Sequence, residues 1–239
     1  MQRILIVFIL LGVSVCAGAQ SLADELRILN KWSAGEEVSL RAVEVYGVEN
    51  CFVGCEISDE LFERMKGKSY KENCTVELAE LRYIKVLHRD AEGRVLLGEM
   101  VCNKRIEADL LEIFRVLYAE EYPIERMVLI DNYGADDGAS MRANNSSAFN
   151  FRFIAGTEKL SNHSLGLAVD INPLYNPYVK VKDGRTIVDP PEGSKYVNRT
   201  LENPFIIKDN DLLVTEFLSH GFTWGGHWNS LKDYQHFEK

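Results

Sequence analysis

Positive charge is the minority in this 239-residue chain, with 27 lysines and arginines against 36 aspartates and glutamates, a formal balance of −9. No basic run exceeds two residues. Phosphate binding needs clustered cations, so a nucleic-acid partner is not expected. Prolines number only six, and no Pro/Gly/Ser-rich stretch divides the chain. Internal repeats and low-complexity tracts are lacking, which excludes solenoid and collagen-like architectures. No apolar run reaches the roughly 20 residues that a membrane-spanning helix needs. What is present is ordinary globular composition, 46% hydrophobic and 26% charged. Such a chain folds, as one large domain or two small ones.

The N-terminus reads as a targeting segment. One charge at Arg3 precedes an apolar run from Ile4 to Val15, and the small residues Ala17 and Ala19 follow. That is the pattern of a secretory signal peptide over residues 1–19, implying a periplasmic or extracellular protein with no membrane span after cleavage. A short anchor, or lipidation at Cys16, are the competing readings. Cleavage leaves Cys51, Cys55, Cys74 and Cys102, an even number compatible with two disulfides in an oxidising compartment or with four buried thiols. A four-cysteine zinc site is disfavoured, because only Cys51 and Cys55 are closely spaced. Asn144-Asn145-Ser146 and Asn198-Arg199-Thr200 are glycosylation triplets only in a eukaryotic secretory pathway.

Composition shifts near residue 125, dividing an N-terminal region, 20–124, from a C-terminal core, 125–239. Upstream, a short helix is expected over 22–32, a strand over 40–46, and a helix capped by Ser58. The β-prone runs 82–88 and 94–102 flank Asp90-Ala91-Glu92-Gly93, a hairpin signal. Ile106, Leu110, Ile113, Phe114 and Leu117 recur at helical spacing after Asn103, which reads as the cap. Downstream, 127–131 reads as a buried strand, and 132–150 and 180–203 as long loops. Asn210 or Asp211 caps a last helix closed by Gly221.

The chemistry concentrates in Ser161-Asn162-His163-Ser164-Leu165-Gly166-Leu167-Ala168-Val169-Asp170. Residues 167–171 alternate as a strand does, placing Leu167, Val169 and Ile171 on one face and Asp170 beside small Ala168 on the other. Gly166 permits a turn that folds the His163 imidazole back over Asp170. Such a pair suits zinc, which accepts histidine nitrogen and carboxylate oxygen and, in catalytic sites, takes a third protein ligand while leaving a position for water. His88, His220, His227 and His236 are candidates for the third ligand. His88 and His220 read as structural, in a hairpin and at a helix end. The C-terminal segment pairs Trp224-Gly225-Gly226-His227-Trp228 with Asp233-Tyr234-Gln235-His236-Phe237-Glu238. Asp233 and His236 face opposite sides of a regular strand, so they meet only if a turn or bulge intervenes.

Taken together, the S-x-H-x-x-G-x-A-x-D, W-G-G-x-W and D-x-x-H-F-E motifs resemble the zinc peptidases of bacterial cell walls, a family that includes vancomycin-resistance D,D-carboxypeptidases and phage L-alanyl-D-glutamate endopeptidases. The resemblance covers about 125–239. It implies one Zn2+ held by His163, Asp170 and His236, and a catalytic carboxylate at Asp233, where several relatives carry Glu. It implies an α+β fold of the hedgehog/D,D-peptidase type, with a small antiparallel sheet and packed helices. Glu238 is the rival base, two residues past His236 on the same strand face. The family places an arginine before the first histidine; Arg152 is preferred to Arg142, to neutralise an oxyanion or hold a substrate carboxylate. Ser161, Trp224 and Trp228 are expected near substrate. The implied substrate is a peptidoglycan stem peptide. The competing reading is a non-catalytic, zinc-containing module of the same fold that binds cell wall.

Overall fold

The computed structural model describes residues 20–154 and 157–239. The signal-peptide reading, 1–19, lies outside the described residues. In chain order the elements are α1 (Leu22–Lys31), β1 (Glu37–Val38), α2 (Leu40–Tyr46), β2 (Val53–Cys55), α3 (Asp59–Met65), β3 (Leu81–Arg89), β4 (Val95–Asn103), α4 (Glu107–Ala119), α5 (Asp137–Arg142), β5 (Ala168–Asp170), β6 (Tyr178–Lys182), β7 (Arg185–Asp189), α6 (Leu212–Ser219), β8 (Thr223–Trp224), β9 (Lys232–Asp233) and β10 (His236–Glu238). This is an α+β arrangement of helices and three small antiparallel sheets, ordered β1-β4-β3-β2, β5-β10-β8 and β7-β6-β9. Among the described residues no helix is long and apolar enough to cross a membrane.

Several elements follow from local chemistry. Ser21, Ser58 and Asp211 each accept a backbone N–H in the first turn of their helices. β3 and β4 pair from Leu81↔Asn103 to Arg89↔Val95. The apolar stripe of α4, with Leu110, Ile113, Phe114 and Leu117 buried, packs into a hydrophobic core that also takes in Val169, Phe217 and Phe237. This core therefore includes side chains from both the 20–124 and the 125–239 portions.

Five expectations fail, each for a physical reason. Residues 132–150 are not one long loop, because Asp136 accepts the Ala139 N–H and caps helix α5 within them. Residues 40–46 form helix α2, because Ser39 caps it through the Ala42 N–H and its buried residues, Ala42 and Val43, suit one helical face. Residues 127–131 are buried but are not a strand: Met127–Leu129 lie outside any strand, and Ile130 and Asp131 open a 3₁₀ turn, Ile130–Tyr133. The side-chain amide of Asn145 accepts from the Val128 N–H at 2.9 Å and donates to the Val128 carbonyl at 3.0 Å, replacing a neighbouring strand. The 180–203 region is no loop: β6 and β7 form a hairpin around Asp183-Gly184, both at positive φ, followed by a 3₁₀ stretch over Pro191–Val197. The Asp-Gly pair between β-prone runs was a readable hairpin signal. Asn103 does not cap α4. It accepts from the Arg105 N–H in the preceding turn and donates to the Leu165 carbonyl, and the helix starts at Glu107.

Cys51, Cys55, Cys74 and Cys102 are free thiols, which agrees with the thiol reading rather than the disulfide one, although not all four are buried. Cys51 and Cys102 are buried and Cys55 is exposed. Burial pushes the Cys51 thiol up to about 11, which suits an inert packing role.

Candidate metal centre

The site rests on the antiparallel pair β5–β10, in which His236 lies directly opposite Asp170. Residues opposite one another in an antiparallel pair share a face, so the register alone brings these two side chains together. The alternate residues, Val169 and Phe237, are fully buried on the other side, and Phe237 stacks on Phe217 of α6 at 4.3 Å. The apolar half of each strand thus decides which face the polar half presents. His163 comes from a 3₁₀ turn, Asn162–Leu165, capped by Ser161, whose Oγ accepts from the His163 N–H at 3.3 Å. Gly166, at φ 67°, returns the chain into β5. The Gly166 carbonyl accepts from the Asn103 N–H of β4 at 2.8 Å, and the Phe149 N–H donates to Val101 at 2.9 Å, so the β3–β4 hairpin buttresses the centre.

Three donor atoms converge. His163 Nε2 lies 3.1 Å from Asp170 Oδ2 and 3.2 Å from His236 Nδ1, and His236 Nδ1 lies 3.1 Å from Asp170 Oδ1. The outward nitrogens are held by oxygens. His163 Nδ1 donates to the Ala148 carbonyl at 2.7 Å, and His236 Nε2 donates to Glu238 Oε2 at 3.0 Å. Glu238 in turn accepts from Asn162 Nδ2 at 2.6 Å. The outer partners fix both rings so that one nitrogen of each, His163 Nε2 and His236 Nδ1, points at Asp170. Burial opposes the Asp170 charge, but His163 and His236 outweigh it and hold the carboxyl below its ordinary range. Burial likewise opposes charge on His236, yet hydrogen bonds to Asp170 and Glu238 raise it to about 10. Charged His236 donates to both carboxylates, and a divalent ion held here would displace the proton on Nδ1. Two imidazoles and a carboxylate facing one point, backed by outer-shell acceptors, fit zinc.

The other expected residues separate into three groups. Asp233 reaches the centre because Tyr234 and Gln235 turn between β9 and β10, the condition set by its spacing from His236. Its Oδ1 is buried with no hydrogen-bond partner. Burial pushes its carboxyl up to about 6, the nearby His236 offsetting part of this and the charge of Asp170 adding to it. Gly225 lets the chain pass close: a Cβ there would lie 2.4 Å from the Asp233 carbonyl oxygen. Arg152 forms an ion pair with Asp137 of α5, and both line a small cavity together with Ser147 and Asp170. The Trp228 ring centroid lies 5.4 Å from that of His236, at the rim.

A second group lies near the centre in roles other than those anticipated. Ser161 is buried and committed to capping the His163 turn. Trp224 is core: it is buried, stacks on Phe237, and donates to the Tyr234 carbonyl at 2.9 Å, anchoring the turn after Asp233. Glu238, the rival to Asp233, is engaged by His236 and Asn162, and so holds the His236 ring in place.

The third group lies away from the donors. Arg142 is exposed at the end of α5. His88 is buried and donates to the Ile124 carbonyl, His220 faces its own helix carbonyl at Glu216, and exposed His227 lies beside Asp209. The signal for Glu238 was its i+2 spacing from His236; nothing local announces Asp137 or Ala148.

Comparison with curated proteins and with solved structures gave no match. Residues 155–239, just over a third of the chain, match the family model described as D-alanyl-D-alanine carboxypeptidase, and that stretch contains His163, Asp170, Asp233 and His236 but not Arg152. The C-terminal part of this chain is therefore similar to a family of peptidases of the carboxypeptidase kind.

Proposed function

We propose that this protein is a zinc-dependent peptidase that hydrolyses amide bonds in peptidoglycan stem peptides, as a D-alanyl-D-alanine carboxypeptidase or an L-alanyl-D-glutamate endopeptidase. We extend the same reading to a hedgehog/D,D-peptidase-type arrangement and to export through residues 1–19 into the periplasm or the extracellular space. The observation that carries it is the meeting of three donor atoms beside a buried carboxylate oxygen that nothing else engages.

His163, Asp170 and His236 would hold the zinc, which when bound would supply a Lewis acid for the scissile carbonyl and lower the pKa of water toward about 7. The remaining work falls to the chain. Asp233 Oδ1 accepts a proton from the attacking water and returns it to the departing nitrogen. Burial moves its carboxyl toward the neutral range, and a divalent charge nearby would draw it back down, so it stays ionised enough to act as a base. Arg152, at the cavity that reaches Asp170, offers a guanidinium to a substrate carboxylate or a developing oxyanion. Glu238 and the Ala148 carbonyl keep both imidazoles in the tautomer that faces inward.

Zinc-loaded protein incubated with purified muropeptides tests this, with products weighed by mass spectrometry. Loss of a terminal D-alanine identifies the carboxypeptidase, and a cut between L-Ala and D-Glu the endopeptidase. Replacement Asp233→Asn retains the metal and lowers turnover by about 10²–10⁴-fold, the usual worth of a general base. No product, with chelator making no difference, would overturn the peptidase reading in favour of a zinc-containing wall-binding module.

A further inference from the structure

The β6–β7 hairpin is joined to the strand that carries Asp233. Tyr178 of β6 pairs with Asp233, and within the hairpin Lys180 pairs with Ile187 and Lys182 with Arg185. Directly opposed residues share a face and alternate residues return to it. Asp233, Tyr178, Lys180, Lys182, Ile187 and Arg185 therefore stand on one side of a continuous three-stranded sheet. Asp189, opposite Tyr178, is on that face too, and its carboxyl is raised by burial and by Asp137, with Arg152 opposing. The shared face is thus the one that carries Asp233. Lys180, Lys182 and Arg185 are exposed. They make a local cationic stripe on a chain whose overall balance is −9. Its only opposing charges within the hairpin are Asp189 at the base and Asp183 at the turn.

We infer that this hairpin face is a substrate-recognition wall that binds an extended anionic peptide through its carboxylates. The inference rests on the peptidase reading for the identity of the peptide. Two strand residues advance about 7 Å, so Lys180 lies about 7 Å and Lys182 about 13 Å from the level of Asp233. An extended peptide presents same-side groups at that same repeat, which matches carboxylates on alternate residues to successive cations. The three side chains are solvated, so each contributes modestly, and the attraction is screened by salt. Together they amount to about a tenfold effect on affinity.

The test uses the full chain, both metal-free and zinc-loaded, and fluorescence anisotropy with a labelled synthetic stem pentapeptide. A second peptide carries carboxamides in place of the side-chain and terminal carboxylates. At about 50 mM salt the carboxylate peptide binds about tenfold more tightly than its amidated counterpart, and the advantage shrinks toward onefold at about 500 mM. The triple variant Lys180→Gln, Lys182→Gln, Arg185→Gln loses that advantage and binds the amidated peptide as the parent does. Equal binding of the two peptides by the parent protein, or an undiminished advantage in the variant, would overturn the inference. Turnover of muropeptides is scored separately in the same preparations. Salt-sensitive binding without turnover sinks the peptidase reading and leaves the cationic wall standing; turnover without charge-dependent binding does the reverse.

Discussion

At the scale of single residues the centre is a set of oriented donor atoms. His236 presents Nδ1 inward because Glu238 takes the hydrogen on Nε2, and Asn162 fixes Glu238 from behind. Replacement Glu238→Ala leaves that ring free to rotate and removes an anion. The expected outcome is a 10–100-fold loss of zinc affinity with little change in the fold, read by competition against a chelating dye and by circular dichroism. A structural role alone would instead lower stability at unchanged affinity. Asp233 differs in kind from Glu238, although both are carboxylates within five residues. One is saturated with donors, whereas the other keeps an oxygen buried and unpartnered, the state expected of a base rather than a strut. Spacing along the chain could nominate both as bases, and only their surroundings separate them.

At the scale of elements, irregular segments are held in place by side chains that imitate backbone partners. Asn145 is fully buried and closes both hydrogen bonds of Val128, while its amide also donates to Ser140 Oγ at 3.0 Å. Asn145→Ala leaves a buried N–H and C=O of Val128 unpaired, a cost of about 2–4 kcal/mol. Urea denaturation of parent and variant checks this; a change under about 0.5 kcal/mol would mean that water substitutes fully. Arg199 plays a similar part for the segment after β7. Its guanidinium donates to the carbonyls of Tyr175, Tyr196 and Ile207 and lies 4.3 Å over the ring of Tyr234, the residue following Asp233. The segment that carries the cationic hairpin is thereby tied to the turn that presents the base.

At the scale of the molecule, one buried histidine couples stability to acidity. His88 sits in the β3–β4 hairpin, 3% exposed, and its burial lowers the imidazole from 6.5 to about 4, the hydrogen bond to Ile124 only partly offsetting. Above pH 6.5 both folded and unfolded states are neutral there and the group contributes nothing. Between 6.5 and 4 the unfolded chain takes up a proton that the folded one refuses, so stability falls as pH falls, by about 3 kcal/mol at most. Replacement His88→Gln flattens that acid limb, measured as the difference between urea midpoints at pH 7 and pH 4.5; parallel limbs in parent and variant would refute it. The sequence by itself determined the elements whose signals are local. Serine and aspartate caps, the Asp90–Gly93 hairpin, the α4 stripe and the His163–Asp170 pair lie within a few residues of the chemistry they specify. It also nominated His236 and Asp233, on motif. Only the tertiary structure decided which of the remaining histidines meets Asp170, because that depends on β5 pairing with a strand 66 residues away. That pairing is selected by burial of Val169 and Phe237 in a shared core, a property of distant surfaces that no local window of sequence contains.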